Sequence, residues 1–230
     1  MRRVASLYRT TVGKKVLMAV SGFILFGFVF GHMLGNLKML SPRTEDGQYA
    51  MDVYAEFLRD MGYPLVPHEG LLWLVRIVLL LAVGVHVVAA YQLWRKSRAA
   101  RKEDYGKEES LVFAYASRTM RWGGIILALF VLYHILHFTT GDLHMSFEAG
   151  AVHRNYVSAF QNPLVYGVYF VAQTALAFHL YHGVWSFFQT LGLNHPKYNR
   201  YRRPFAAAFA LVVFVGFLTP ATLVLAGLLT

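Results

Sequence analysis

The sequence predicts an all-α integral membrane protein, a single domain built as a bundle of five transmembrane helices. Of its 230 residues, 57% are hydrophobic and 15% are charged, and the mean hydropathy is +0.43. A soluble domain of this size needs more charge to cover its surface. Five apolar runs each exceed or approach the roughly 20 residues that cross a bilayer as a helix. They cover residues 16–37, 71–93, 122–140, 163–188 and 204–229, with Arg76 as their one formal charge.

The first run follows a basic segment and continues well past the length of a signal peptide, so we expect it to be retained. It contains "GFVFGHMLG", which places Gly27, Gly31 and Gly35 at intervals of four, on one helical face. Such a smooth face favours close packing against another helix. The alternative is that the face admits a flat macrocycle beside His32.

The loop after the first run contains "GQYAMDVYAEFLRDMGYP", in which apolar residues recur at helical spacing and acidic residues occupy the other face. Gly62 and Pro64 end the pattern. This pattern predicts a short amphipathic helix on the outer surface; the alternative is an ordinary structured loop.

The charges predict the orientation of the spans. Most of the 22 Lys and Arg residues lie in the N-terminal segment, the loop between runs two and three, and the loop before run five. An odd number of crossings puts these three segments on one side, whereas the other loops are acidic. The positive-inside rule therefore predicts a cytoplasmic N-terminus and an outer C-terminus. The basic loop "RKSRAARKEDYGKEES" either contacts lipid or docks a partner.

Histidines occur in four of the five apolar runs. An ionisable residue inside a bilayer costs a few kcal/mol and tends to face the bundle interior, where it has a function. Each histidine alone could be a packed side chain bonded to a carbonyl, but four consecutive spans share the feature. The residues are His32 in the first run, His86 in the second, His134 and His137 in the third, and His179 and His182 in the fourth.

Depth sorts these histidines into two layers. At about 1.5 Å per helical residue, His32 lies about 25 Å beyond Lys15 and His134 about 20 Å beyond Arg121, both in the outer half. By the same rise, His86 and His179 lie about 15 Å from the cytoplasmic ends of their helices, in the inner half. Two imidazoles that face each other across a bundle can hold a six-coordinate haem iron. Two layers predict two haems in series.

Other metal chemistry fits the sequence less well. A membrane di-iron enzyme uses dense histidine boxes, and a zinc enzyme needs three or four ligands in one layer together with an acid or base. The apolar runs contain no carboxylate, and the chain has no cysteine, which excludes thiolate ligands and haem attached through C-x-x-C-H. A histidine proton relay is the main alternative. The third and fourth runs each contain a histidine doublet, His134 with His137 and His179 with His182. Spacing does not decide which histidine of a doublet binds metal, because positions i and i+3 differ by only about 60° around the helix axis.

Several motifs resemble the five-helix, two-haem cytochrome b subunit that anchors succinate dehydrogenase or fumarate reductase. The most specific are "HMLGNL", with His32 and Asn36, and "HLYHGVWSF", with His179 and Trp185. "VGVHVVAAY" and "LYHILHF" match more loosely. The resemblance covers almost the whole chain.

The resemblance implies which histidines bind haem. It makes the first histidine of each doublet the ligand, so that His86 and His179 hold the inner haem and His32 and His134 the outer one. His137 and His182 become neighbours of the haems, and relatives often have Asn where His182 stands. Arg76 becomes a candidate to neutralise an outer haem propionate.

The resemblance also implies an electron-transfer role without dicarboxylate chemistry. A flavoprotein subunit and an iron–sulfur subunit would dock on the cytoplasmic face, and two non-covalent b haems would carry electrons to or from a membrane quinone, most often menaquinone rather than ubiquinone. The chain would lie in the bacterial cytoplasmic membrane, within a complex that can form higher oligomers. The alternatives are a haem b subunit of a hydrogenase or formate dehydrogenase and a haem-free anchor.

Quinone reduction also needs protons. His68, Glu69 and Arg76 lie at the outer mouth of the second span, and this position predicts a quinone site with Glu69 or His68 handling protons. A solvated acid at the start of a helix is the simpler explanation of Glu69. An inner site near Lys14, Lys15 and Ser21 is the alternative location.

Overall fold

The computed structural model describes residues 10–100, 111–193 and 195–230. These residues are all-helical, and five of the helices are long and apolar enough to cross a membrane, as predicted. The long helices are α1 (Thr11–Asn36), α3 (Gly70–Ala99), α4 (Leu111–His134), α6 (Pro163–Thr190) and α7 (Pro196–Leu225), and the short ones are α2 (Ala50–Asp60) and α5 (Val152–Phe160). The first nine residues of the basic N-terminal segment and the centre of the basic loop before α4 lie outside the described residues.

Polar side chains begin the long helices where the sequence changes from loop to apolar run. The Thr10 hydroxyl accepts a hydrogen bond from the Gly13 N–H at 2.9 Å and so caps α1. Asn162 caps α6 in the same way, by accepting from the Leu164 N–H, and Pro163 fills the first helical position. These caps fix where the two helices start.

The last span differs from the predicted run 204–229 at both ends. It begins at Pro196, because His195 caps it, and the helix passes through Pro204. Apolarity therefore marks only the part of this helix that is suited to hydrocarbon. It ends at Leu225, because Gly227 adopts a left-handed conformation (φ 71°) and the Leu228 N–H turns back to the Leu223 carbonyl at 2.9 Å.

The two short helices pack against each other at one end of the bundle, here called the α2/α5 end. The amphipathic helix predicted after the first span is confirmed as α2, whereas α5 was not predicted. Asp52 of α2 accepts a hydrogen bond from the His153 N–H of α5 at 2.8 Å, and the Tyr49 ring stacks on the His153 ring at 3.5 Å. The opposite end, where Lys14 bonds Gln92, is called the Lys14 end.

The five long helices form an arc. α3 packs on α1, α1 on α7 and on α6, α7 on α6, and α6 on α4. Met33 of α1, Leu180 of α6 and Val213 of α7 share a buried cluster where the helices meet. A second cluster at the α2/α5 end contains Phe160 and Tyr169. The arc therefore has two arms, α1 with α3 and α4 with α6, and α7 packs on both.

The glycine face of α1 does not pack as predicted. A Cβ atom at Gly27 or Gly31 would meet no other atom within 4 Å, so neither glycine allows a close helix contact among the described residues. At Gly35 a Cβ would lie 3.0 Å from the Tyr54 ring of α2, so a small residue is required there. Gly22 of α1 does face another span, because a Cβ atom there would lie 3.2 Å from the His86 ring.

Candidate functional site

A cavity of about 1740 Å³ lies inside the arc. Its lining runs from Met18 and Trp94 near the Lys14 end to Asn36 and Tyr156 near the α2/α5 end, and most of it is apolar or aromatic. A pocket for one drug-sized ligand usually holds about 300–1,000 Å³. The cavity therefore has room for more than one large, flat, apolar group.

Two pairs of histidines face each other in this cavity. The first pair is His32 of α1 and His134 of α4, whose ring centroids are 5.7 Å apart. The second pair is His86 of α3 and His179 of α6, with centroids 6.1 Å apart. The structure thus brings together the same residues that the depth argument assigns to the outer and the inner layer. Each pair takes one histidine from each arm of the arc.

The second histidine of each doublet lies outside the cavity lining. His137 is 2% exposed, its ring stacks on His144 at 4.8 Å, and its Nδ1 lies 3.0 Å from the Tyr169 hydroxyl. The His182 ring packs edge-on against Trp185 at 5.7 Å. Neither histidine lines the cavity. The geometry therefore favours His134 and His179 over their neighbours as residues that can contact a group bound inside.

The spacing of both pairs fits a shared metal ion. An imidazole nitrogen binds a transition metal at about 2 Å, so two rings on opposite sides of one ion have centroids about 6 Å apart. The observed distances of 5.7 Å and 6.1 Å agree with this value. In addition, the buried Nδ1 of His179 has no hydrogen-bond partner among the described residues. The donor set of two imidazoles suits a six-coordinate haem iron.

Neighbouring groups orient two of these rings. The Nδ1 of His86 lies 3.2 Å from the Met18 carbonyl oxygen and 3.3 Å from the Ser21 hydroxyl, both on α1. The Nδ1 of His134 lies 3.1 Å from the Tyr169 hydroxyl on α6. A ring that donates from Nδ1 keeps its lone pair on Nε2, which is then the nitrogen available to a metal.

The predicted proton-handling residues lie at the surface. His68 Nε2 lies 3.1 Å from Asp60 Oδ1 and 3.6 Å from Glu56 Oε1, and Glu69 Oε1 lies 3.6 Å from the Arg59 side chain. A hydrogen bond from Arg59 lowers the pKa of the Glu56 carboxyl group. These residues do not line the cavity. They form a polar cluster between the end of α2 and the start of α3.

Arg76, one of the candidate haem neighbours, does line the cavity, and its guanidinium group lies 4.8 Å from the centre of the Trp73 ring. The structure therefore separates this residue, which faces the interior, from the surface cluster that contains His68 and Glu69.

Sequence reasoning missed three polar side chains of the cavity wall. Tyr169 bonds two histidines, while Gln173 Oε1 and Trp94 Nε1 are buried without hydrogen-bond partners in the described part of the chain. Tyr169 and Gln173 stand one turn apart on α6, so they lie on the same face of that helix. Buried polar groups normally have hydrogen-bond partners. Two polar residues one turn apart in a predicted span were therefore the sequence feature that could have identified this part of the cavity wall.

A comparison with protein families agrees with this architecture. The family described as the succinate dehydrogenase/fumarate reductase transmembrane subunit matches residues 95–219, just over half of the chain. The chain belongs to this family. The matched region includes His134 and His179, one member of each pair, together with the neighbouring histidines of both doublets. No curated protein and no solved structure matches the chain.

Family membership identifies the chain as a multi-pass membrane subunit of a succinate:quinone oxidoreductase complex. It excludes the alternative of a hydrogenase or formate dehydrogenase subunit. The family also implies that the chain assembles with other subunits of that complex. Members often bind haem b, and the two histidine pairs are the residues of this chain that fit that group.

Proposed function

We propose that this subunit is a di-haem cytochrome b that passes electrons between an iron–sulfur subunit and a membrane quinone. The observation that carries the proposal is the presence of two facing histidine pairs in one apolar cavity, with ring centroids 5.7 Å and 6.1 Å apart. His32 and His134 hold one haem, and His86 and His179 hold the other. Bound haem iron supplies reversible one-electron chemistry.

The chain holds the haems, orients the histidine rings that bind them and excludes water from the cavity. Tyr169, which bonds His134, precedes His179 by ten residues on α6, so the two layers are about 15 Å apart along the bundle. That separation is half of the roughly 30 Å hydrocarbon core. Two stacked sites therefore span much of the membrane, while the apolar wall around them keeps water away from the iron ligands.

The charge distribution supports an orientation with the N-terminus in the cytoplasm and the C-terminus outside. In this orientation the Lys14 end faces the iron–sulfur and flavoprotein subunits, and the second histidine pair is the layer nearer to them. The α2/α5 end faces outward. We infer a location in the bacterial cytoplasmic membrane, with the whole chain forming one cytochrome domain.

The haem content of the purified complex tests this function directly. We expect a reduced-minus-oxidised spectrum of low-spin b-type haem, and a pyridine haemochrome assay should return two haems per chain. Fewer than one haem per chain, under conditions that preserve cofactors, would leave the haem-free anchor as the better explanation.

We further propose that quinone, most often menaquinone in this family, reacts at the α2/α5 end. Arg76 lines this part of the cavity, and the polar cluster with His68 and Glu69 lies at the start of the same helix. Glu69 or His68 exchanges protons with the quinone, and Arg76 tunes the haem of the first pair. A carboxylate and an imidazole are the usual groups for such proton transfer.

Replacing Glu69 with glutamine should slow quinone turnover severalfold or more, because the amide keeps the shape of the side chain but cannot exchange the proton. Both haems should stay reducible by succinate. Quinone reduction and haem reduction are measured separately on the same purified complex.

Glu148→Gln is the matched control, since Glu148 is another exposed acid at this end and pairs with Arg154; its turnover should match the wild type. Normal turnover in Glu69→Gln, together with an inhibitor bound near Ser21, would move the quinone site to the Lys14 end.

A further inference from the structure

Tyr169 occupies a special place beside the first histidine pair. The residue is 6% exposed, and its hydroxyl group lies within hydrogen-bond distance of two imidazole nitrogens. The distances are 3.1 Å to His134 Nδ1 and 3.0 Å to His137 Nδ1. One hydroxyl group therefore connects the proposed iron ligand with the histidine that does not line the cavity.

The numbers of donors and acceptors fix the direction of both hydrogen bonds. A tyrosine hydroxyl has one hydrogen and two acceptor lone pairs, and a neutral imidazole has one N–H. If His134 holds iron through Nε2, its proton is on Nδ1 and is donated to the Tyr169 oxygen. The hydroxyl hydrogen of Tyr169 is then donated to His137 Nδ1, so the proton of His137 is on Nε2.

Local structure makes this convergence possible. A π-helical turn covers Ile135–Thr139, directly after His134, and its wider turn changes the angle between His134 and His137. The Tyr169 ring is held by edge-on contacts with Phe130 at 5.0 Å and Phe160 at 4.9 Å. The hydroxyl group is therefore fixed in position between the two histidines and does not depend on a flexible side chain.

The two histidine pairs have different surroundings. His86 of the second pair meets a backbone carbonyl and a serine hydroxyl on α1, and the Nδ1 of His179 has no partner within the described residues. At the first pair, the Nδ1–H of His134 donates to the Tyr169 hydroxyl group, which itself donates to His137. A hydrogen-bond acceptor on the distal nitrogen increases the basicity of a ligating histidine, and a chain of hydrogen bonds strengthens this effect.

We propose that Tyr169 is a positioning residue that fixes the tautomer and orientation of His134 and, together with His137, lowers the reduction potential of the group bound at the first pair. This inference rests on the proposed function, because it requires a haem at that pair. The more basic ligand stabilises the oxidised iron, so removal of the hydroxyl group raises the potential.

The test is a redox titration of the intact complex carrying Tyr169→Phe, which removes the hydroxyl group and keeps the ring. At a fixed potential, the oxidised-to-reduced ratio of the first-pair haem should fall three- to tenfold. This change corresponds to a rise of about 30–60 mV at 59 mV per tenfold change for one electron. The haem of the second pair should titrate as in the wild type and serves as the internal reference.

Tyr166→Phe is the matched control. Tyr166 lies nearly one turn earlier on α6, but its hydroxyl group lies 2.9 Å from Thr222 Oγ1 on α7. Its removal should leave both potentials unchanged. A first-pair shift in Tyr166→Phe equal to that in Tyr169→Phe would indicate a general effect of helix packing and would overturn the inference.

A double-mutant comparison tests the role of His137. His137→Leu removes the acceptor of the Tyr169 hydroxyl hydrogen, so it should raise the same potential by a smaller amount. The double variant should shift it no further than Tyr169→Phe alone, because the two residues act through one chain of hydrogen bonds. If the shifts of the two single variants added up in the double variant, the two residues would act independently, and a continuous chain of hydrogen bonds would be ruled out.

The outcomes separate this inference from the proposed function. Two haems per chain with an unchanged first-pair potential in Tyr169→Phe would overturn the inference and leave the cytochrome function standing. A wild-type complex without haem at the first pair would overturn both.

Discussion

Replacing His179 with alanine is expected to reduce the haem content of the complex from two per chain to one. His179 faces His86 across the cavity, so its loss leaves the second pair with a single imidazole. In the proposed orientation this pair is the first to receive electrons from the iron–sulfur subunit. Reduction of the remaining haem by succinate should therefore fall more than tenfold, measured by stopped-flow absorbance alongside a haem assay.

His182→Ala is the control for this prediction. His182 lies three residues further along the same helix, packs on Trp185 and does not line the cavity. The variant should retain both haems and their reduction by succinate. A result in which His182→Ala loses a haem while His179→Ala keeps both would reverse the choice of ligand within this doublet.

Replacing His32 with alanine is expected to remove the other haem and to lower quinone turnover at least tenfold. The second-pair haem should remain fully reducible by succinate, because His86 and His179 are unchanged. This combination follows if electrons must pass through the first pair to reach a quinone at the α2/α5 end. Haem content, haem reduction and quinone reduction are measured on the same preparation.

His144→Ala provides a comparison at the same end of the bundle. The His144 ring bonds the Asn155 carbonyl at 2.9 Å and lies outside the cavity lining, so this variant should keep both haems and most of the turnover. If the His32→Ala variant kept two haems per chain, His32 and His134 would not be the ligands of a haem. One haem with unchanged quinone turnover would place the quinone at the Lys14 end.

Much of this fold could be predicted from the sequence because hydrocarbon imposes a simple requirement on a helix. An apolar run of sufficient length gives the number of spans, and the rise per residue gives the depth of His32, His86, His134 and His179. The ends of α7 were predicted wrongly because apolarity marks the membrane-embedded part of a helix and does not detect a capping residue such as His195.

The remaining features depend on contacts between helices that are distant in sequence. Spacing could not distinguish His134 from His137, because the π-helical turn and the position of Tyr169 on α6 decide which ring faces the cavity. The interpretation of Gly27 and Gly31 as a packing face failed for the same reason. α5 was missed because it is only nine residues long, and its stacking against Tyr49 helps to hold it.

The division of the arc into two arms has a consequence for how the subunit matures. His32 and His86 belong to the α1/α3 arm, while His134 and His179 belong to the α4/α6 arm. The two arms already meet where Met33 of α1, Leu180 of α6 and Val213 of α7 share a buried cluster. A group that binds at either pair bridges the arms a second time and restricts the motion of one arm relative to the other. The first group to bind orders the arms, so the second group binds with a smaller loss of conformational entropy. The two sites therefore bind with positive cooperativity although they share no ligand. Half-loaded molecules should accordingly be rare during assembly.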